Sequence, residues 1–143
     1  MLVLDTNVIS EALREKPDPA ILAWLDAQPP ASHFTTTITL AEIKYGIAIM
    51  PTEKRKATLL TAATLMFQDD FQGRVLPFDS DAAECFAAIG AERQLAGQPI
   101  SEPDCQIAAI TLSRGGRLAT RNVRDFHNCG IDVVNPWDAR VKP

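Results

Sequence analysis

The stretch Met1–Ser10, MLVLDTNVIS, decides the fold. Leu2, Val3 and Leu4 form a short unbroken apolar run, the pattern of a strand buried on both faces of a sheet. The run stops at Asp5-Thr6-Asn7, three small polar residues, and apolar spacing resumes at Val8, Ile9, Ala12 and Leu13. That order describes a strand, a tight polar turn and the start of a helix. In an open parallel α/β sheet, ligands sit in the crevice outside the carboxyl ends of the strands. Asp5 stands at such an end. It can cap the following helix, as aspartate commonly does, or aim its carboxylate into the crevice.

Working outward, the first helix spans about Val8 to Lys16 and is stopped by Pro17 and Pro19. Ile21, Leu22, Trp24 and Leu25 have helical spacing and end before Pro29-Pro30. His33 to Thr37, rich in β-branched and aromatic residues, reads as a second strand. Thr39 followed by Glu42, ahead of Ile43 and Ile47, has the spacing of a capping box and places Glu42 in a helical first turn. A helix from Glu53 to about Gln68 carries Lys54, Arg55 and Lys56 at its start, where cations oppose the macrodipole and suit a solvated face. Arg74 to Phe78 is a third strand, with Pro77 pointing to a sheet edge. Asp79-Ser80-Asp81 opens a long helix ending at Gly97, and Ser101 caps another with Asp104 three residues on. Gly115-Gly116 stops that helix; Arg117–Thr120 and Ile131–Val134 are the last strands, before a tail with Trp137.

Strands alternate with helices and no hairpin signal occurs, which calls for an α/β fold with a parallel sheet of about five strands covered on both faces. At 143 residues with 46% hydrophobic content, one domain over residues 1–143 with one ample core is the simplest organisation. The net charge of −4 argues against broad electrostatic adhesion to nucleic acid or anionic membrane, and leaves room for an acidic site that a metal ion would invert. Cys85, Cys105 and Cys129 form no CxxC pair, and His33 and His127 stand near no paired cysteines, so zinc is not indicated. With no leader ahead of a strand starting at Leu2, and no apolar run near the ~18 residues that span a bilayer, the expectation is a cytoplasmic protein with reduced thiols and no membrane association.

Asp5, Glu42, Asp104 and the Asn122/Asp125 pair all fall just past a strand or in the first turn of a helix, and in a parallel doubly wound sheet those places share one edge. Two carboxylates ~5 Å apart repel by roughly 3 kcal/mol at an effective dielectric near 20. A cluster of them takes up protons or holds a hard cation, and oxygen ligands alone suit Mg²⁺ or Mn²⁺. Such an ion acidifies water and neutralises a phosphodiester under in-line attack, so phosphodiester hydrolysis is the reaction class these residues favour.

Four motifs, LVLDTNVISE (2–11), TTITLAEIKYGI (36–47), ISEPDCQIAAI (100–110) and LATRNVRDF (118–126), run in order through the chain. Together they resemble the PIN-domain ribonucleases of the VapC/FitB toxin subgroup. The resemblance implies a Rossmann-like three-layer α/β/α sandwich and a Mg²⁺- or Mn²⁺-dependent endoribonuclease. It further implies a toxin paired with a cognate antitoxin in a type II toxin–antitoxin system, and a homodimer that reaches DNA only through its antitoxin. By motif, Asp5 and Asp104 match the main metal ligands and Glu42 completes the acidic cluster. Asp125 matches the fourth acid, while Asn122 sits where some relatives carry an acid, so either one can face the metal. Thr6, Asn7 and Thr120 match small polar positions that orient carboxylates or water.

Arg14, Lys44, Arg93, Arg121 and Arg124 lie near the motifs as candidates for RNA phosphate contacts, with Arg121 and Arg124 flanking the site motif. Cys105, Trp24, Trp137 and Phe126 read as packing residues, and Leu22, Leu25, Ile43, Ile47 and Leu59 as surplus apolar surface for self-association. A repressor subunit acting on DNA through its antitoxin, with catalysis secondary, is the alternative function. An aspartyl-phosphate phosphatase would want a second Asp where this chain has Asn7, and a receiver domain a late lysine where it has Thr120 and Arg121.

Overall fold

The computed structural model describes residues 1–139. Five parallel strands, β1 (Leu2–Leu4), β2 (His33–Thr36), β3 (Val75–Leu76), β4 (Arg117–Ala119) and β5 (Asp132–Val134), form one sheet in the order β3-β2-β1-β4-β5. The helices are α1 (Thr6–Leu13), α2 (Pro19–Asp26), α3 (Thr37–Ala48), α4 (Glu53–Leu65), α5 (Ser80–Leu95), α6 (Glu102–Ser113) and α7 (Pro136–Ala139). Short 3₁₀ turns at Pro30–Ser32 and Val123–Phe126 and a π turn at Met66–Asp70 complete the chain order.

Side-chain alternation along β1 makes the sandwich. Leu2 and Leu4 face a core built with Ile9, Ile21, Ile43, Ile47, Ala63 and Phe67 from α1 to α4 and the π turn. Val3 faces the other way, into a core built with Ile89, Ile107, Ala108 and Ile110 from α5 and α6. Fully burying an aliphatic side chain contributes about 1.5–3 kcal/mol, so a one-residue slip of β1 would move three such side chains to the wrong layer. The parallel sheet covered on both faces, expected from the alternation, and the Rossmann-like α/β/α sandwich implied by the resemblance are the fold observed.

From β1 the chain steps through β2 to β3 on one side and then returns to β4 and β5 on the other. The strand order therefore switches at β1, and a crevice opens between the carboxyl ends of β1 and β4. Asp5 follows β1 and Thr120 follows β4, with the Asp5 N–H donating to Ala119 O at 2.9 Å.

Several boundaries differ from expectation. Asp5 caps α1, so that helix starts at Thr6 and ends at Leu13, before the prolines. Thr36, whose hydroxyl accepts the Thr39 N–H, caps α3 in place of Thr39. Glu42 is consequently the sixth residue of α3, in its second turn, and no capping box forms. β3 is an edge strand, as Pro77 suggested. Ser101 caps α6 by accepting the Asp104 N–H, and Gly115 ends that helix at φ 68° in the left-handed region that suits glycine. Ile43 and Ile47 are core residues and not spare surface; the exposed large apolar side chains are Met1, Leu22, Tyr45, Ile49, Leu60, Leu65 and Leu95, of which Leu22 was expected. Among the described residues no helix is long and apolar enough to cross a membrane.

Candidate active site

At the switch point the Asp5 residue is 4% exposed, and its carboxylate is held from three directions. Oδ1 accepts the Thr6 N–H at 2.8 Å; Oδ2 accepts the Thr120 hydroxyl at 2.7 Å and the Asn7 amide at 3.4 Å. Asp5 thus caps α1 through Oδ1 and is also a residue of the cleft lining. Burial pushes its carboxyl up to about 6, against the pull of the Thr120 and Thr6 hydrogen bonds, and the charges of Asp104 and Glu42 add to the rise.

Glu42 reaches the same place from α3. Its Oε1 accepts the Thr6 hydroxyl at 2.8 Å, and the Thr6 and Thr39 hydroxyls lie 3.1 Å apart. Asp104 arrives from the first turn of α6, and partial burial raises its carboxyl as well. The Ser101 hydrogen bond and the Arg93 guanidinium lower it, while Asp125 and Glu42 raise it. Asp5, Glu42 and Asp104 share an open cleft of ≈450 Å³, walled also by Thr6, Asn7, Ser10, Glu11, Arg14, Arg121, Asn122 and Trp137.

The turn after β4 separates the two candidates for the fourth position. Asn122 lines the cleft, with its N–H donating to the Thr120 hydroxyl at 3.0 Å. Asp125, one turn of 3₁₀ helix further on, is exposed and is not part of the cleft wall; it reaches the site only through its charge on Asp104. Arg121 is on the wall and Arg124 is exposed outside it.

Three expectations about single residues change. Arg93 is no surface cation: it is 7% exposed, and its guanidinium donates to the carbonyls of Gln98, Asp125 and His127 at 2.7–2.9 Å. It thereby clamps the 3₁₀ turn to the end of α5, and its location within a helix gave no sign of this. Lys44 is engaged with the Thr64 hydroxyl on α4 at 2.9 Å. Trp137 packs, as expected, but also forms part of the cleft wall. Glu11, unassigned in sequence, is buried beside the cleft and accepts from the Asp18 N–H and from Arg14. Its place in the helical run after Asp5 was the only signal.

The donor set is oxygen alone, and neighbouring carboxylates add to the raised carboxyls of Asp5 and Asp104, so it fits a hard divalent cation. No three His, Cys, Asp or Glu side chains among the described residues stand close enough to cage an ion by themselves.

A parallel α/β sandwich with a ligand crevice at its switch point is the class of fold and site seen here. The PIN domain model matches residues 2–130, and the chain belongs to the PIN-domain family. VapC ribonuclease Y4jK of Sinorhizobium fredii is 41% identical over 138 residues, spanning 96% of this chain and 99% of that protein. Toxin FitB of Neisseria gonorrhoeae is 36% identical over 137 residues, spanning 96% and 99%. The solved structure of FitAB bound to an IR36 DNA fragment superimposes with a TM-score of 0.88 at 36% identity, covering 96% of each chain.

Proposed function

We propose that this chain is the toxin of a type II toxin–antitoxin pair, a Mg²⁺- or Mn²⁺-dependent endoribonuclease that acts as one domain in the cytoplasm. The observation that carries the reading is the buried Asp5 carboxyl, hydrogen-bonded on both oxygens and facing Glu42 and Asp104 across one cleft. Full-length relatives named as a VapC ribonuclease and as toxin FitB support it.

Asp5, Asp104 and Glu42 are the side chains that would hold the ion. A divalent cation held there would supply neutralisation of the carboxylates and of a phosphodiester and would acidify a water, the chemistry of a hydrolysis with 5′-phosphate and 3′-hydroxyl products. Thr120 and Asn7 fix the rotamer of Asp5, and Thr6 fixes that of Glu42, so the ligands are oriented before anything binds. Asn122 completes the polar wall, and Asp125 acts at one remove, through the field it exerts on Asp104. Arg121 supplies a cation for substrate phosphate.

The antitoxin is the second partner. An apolar groove of ≈790 Å³ between α1, α3 and α4, with Leu13, Ile43, Ile47 and Leu59 in its walls, adjoins the cleft and shares Thr6, Ser10, Arg14 and Glu42 with it. A chain seated there lies against Glu42 at the edge of the cleft. Any DNA contact then comes through the antitoxin, and the −4 net charge of this chain, which argues against broad electrostatic adhesion to nucleic acid, supports that reading.

The test is cleavage of a mixed RNA pool by the purified, antitoxin-free protein with Mg²⁺, with Mn²⁺ and with EDTA, beside Asp104→Ala. Metal-dependent cleavage that the variant lacks is the expected result. Folded wild-type protein inert with every metal overturns it.

A further inference from the structure

We infer that Trp137 is a positioning residue that holds the Arg121 guanidinium on the cleft wall as the contact for an RNA phosphate. This rests on the ribonuclease reading of the same site and adds a substrate contact, with its support, from the far end of the chain.

Arg121 is tied at both its backbone groups. Its N–H donates to Asn7 Oδ1 at 3.1 Å, and its carbonyl accepts from Asn135 Nδ2 at 3.5 Å. Asn7 also donates to Asp5 and to Thr120, so the first turn of α1 connects Arg121 directly to the acidic floor. Asn135 Oδ1 accepts the Trp137 N–H at 2.9 Å, so one amide side chain joins Arg121 to the first turn of α7. The guanidinium carbon of Arg121 then lies 5.1 Å from the Trp137 ring centroid. The Trp137 residue is 8% exposed and therefore a fixed surface, and a cation over an indole face is stabilised by the ring quadrupole. An arginine stacked on one face keeps its N–H edges free for a two-toothed bond to phosphate, which a lysine cannot make.

The charge of Arg121 is also uncommitted. Among the described residues the ion pairs are Arg14–Glu11 and Arg114–Asp79, and neither involves it. The cation acting on Asp104 is Arg93, and no cation is among the groups acting on Asp5. Arg121 and Trp137 nonetheless line the cleft that holds Asp5, Glu42 and Asp104. A positive group at the wall of an acidic cleft, not used to neutralise the acids, matches a polyanionic substrate spanning from wall to floor.

The experiment is steady-state cleavage of a mixed-sequence RNA oligonucleotide with Mn²⁺ by Arg121→Ala, Arg121→Lys, Trp137→Phe, Trp137→Leu and the Arg121→Ala/Trp137→Leu pair, at several salt concentrations. Arg121→Ala raises KM about tenfold with kcat within about twofold, and lowers the salt slope of log KM by about one. Arg121→Lys restores the slope but leaves KM raised. Trp137→Leu raises KM with the charge still present, Trp137→Phe returns it to within about twofold of wild type, and Trp137→Leu adds less than about twofold in the Arg121→Ala background. Unchanged KM in Arg121→Ala overturns the inference, as does an effect of Trp137→Leu that persists undiminished without Arg121. Should Trp137→Leu fail to fold, the Arg121 arms decide, and Arg121→Lys with the wild-type KM overturns the stacking. Wild-type protein that cleaves nothing overturns the ribonuclease reading instead. Quenching of Trp137 fluorescence by the same RNA, in Trp24→Phe protein with and without Arg121→Ala, then reads the contact: quenching lost with Arg121 supports it, and quenching retained overturns it.

Discussion

The floor and the wall of the cleft are built on opposite principles. At the floor, Asp5 and Glu42 issue from the first turn after β1 and from the second turn of α3, and hydroxyls of Thr6 and Thr120 hold their carboxylates in place. The wall is the turn after β4 together with α7, where Arg121 and Trp137 stack, Asn122 lines the cleft and Asp125 points its charge in from outside. The floor accepts an electrostatic penalty to keep three like charges together. The wall carries opposite charge and sets what approaches. Substitutions at the floor should therefore change the chemistry and the stability together, and removal of the exposed Arg121 side chain at the wall should change affinity with little effect on folding.

The largest effect is expected at Asp5. Asp5→Asn should lower cleavage about 10³-fold, and it should also stabilise the metal-free protein. The folded-state carboxyl titrates at about 6 against 3.8 in the unfolded chain. A raised acid contributes stability that is fully present below pH 3.8 and lost as pH climbs through about 6. That gap corresponds to about 3 kcal/mol at neutral pH, or roughly 5–10 °C in Tm. Melting curves with EDTA should show the variant above wild type at pH 7.5 and the two converging below pH 4. Added Mn²⁺ should raise wild type alone. A difference that does not depend on pH would show that Asp5 is not held against its charge.

Next in size is Thr120→Val, which keeps the shape of a fully buried side chain and removes the shortest hydrogen bond to Asp5. Asn7 and the Asn122 N–H lose their acceptor as well. Cleavage should fall about tenfold. Because the lost bond favoured the carboxylate, the acid limb of the pH–rate profile at subsaturating metal should move to higher pH. An acid limb that stays in place would separate Thr120 from the titration of Asp5.

The same contrast explains what could be read from sequence. The floor was legible: a buried three-residue run ending in Asp announces a β1 carboxyl end, and the parallel alternation brings Asp5, Glu42 and Asp104 to one edge by topology alone. The wall was not, because its contacts depend on side-chain direction across distant segments. Nothing in the spacing of Asn122 and Asp125 tells which one a 3₁₀ turn will aim inward, and nothing local shows that Asn135 will bring Trp137 beneath Arg121. Arg93 misled for the same reason. Its three carbonyl acceptors come from the loop after α5 and from the turn after β4, so a cation that reads as a candidate phosphate contact is a buried clamp. The cap of α3 failed more simply: the run Thr35-Thr36-Thr37 with Thr39 offers several hydroxyls, and the end of β2 selects Thr36.

The smallest expected effects test the wall directly. Asp125→Asn removes a charge that raises the Asp104 carboxyl from outside the cleft, so Asp104 should ionise at lower pH while cleavage at pH 7.5 changes by less than about threefold. Asn122→Asp does the reverse, placing a carboxylate on the wall itself, close to the Thr120 hydroxyl that already serves Asp5. It should tighten Mn²⁺ binding severalfold, because each added oxygen anion raises the affinity of a hard-cation site, and it should lower metal-free stability as a further like charge joins the cluster. Calorimetric titration of Mn²⁺ into both variants measures the first, and melting with EDTA the second. If Asp125→Asn weakens Mn²⁺ more than Asn122→Asp strengthens it, and added salt does not screen the loss, the turn rotates when metal arrives and delivers Asp125 to the cleft. The wall would then be the moving part of the site, closing on a floor that is already set.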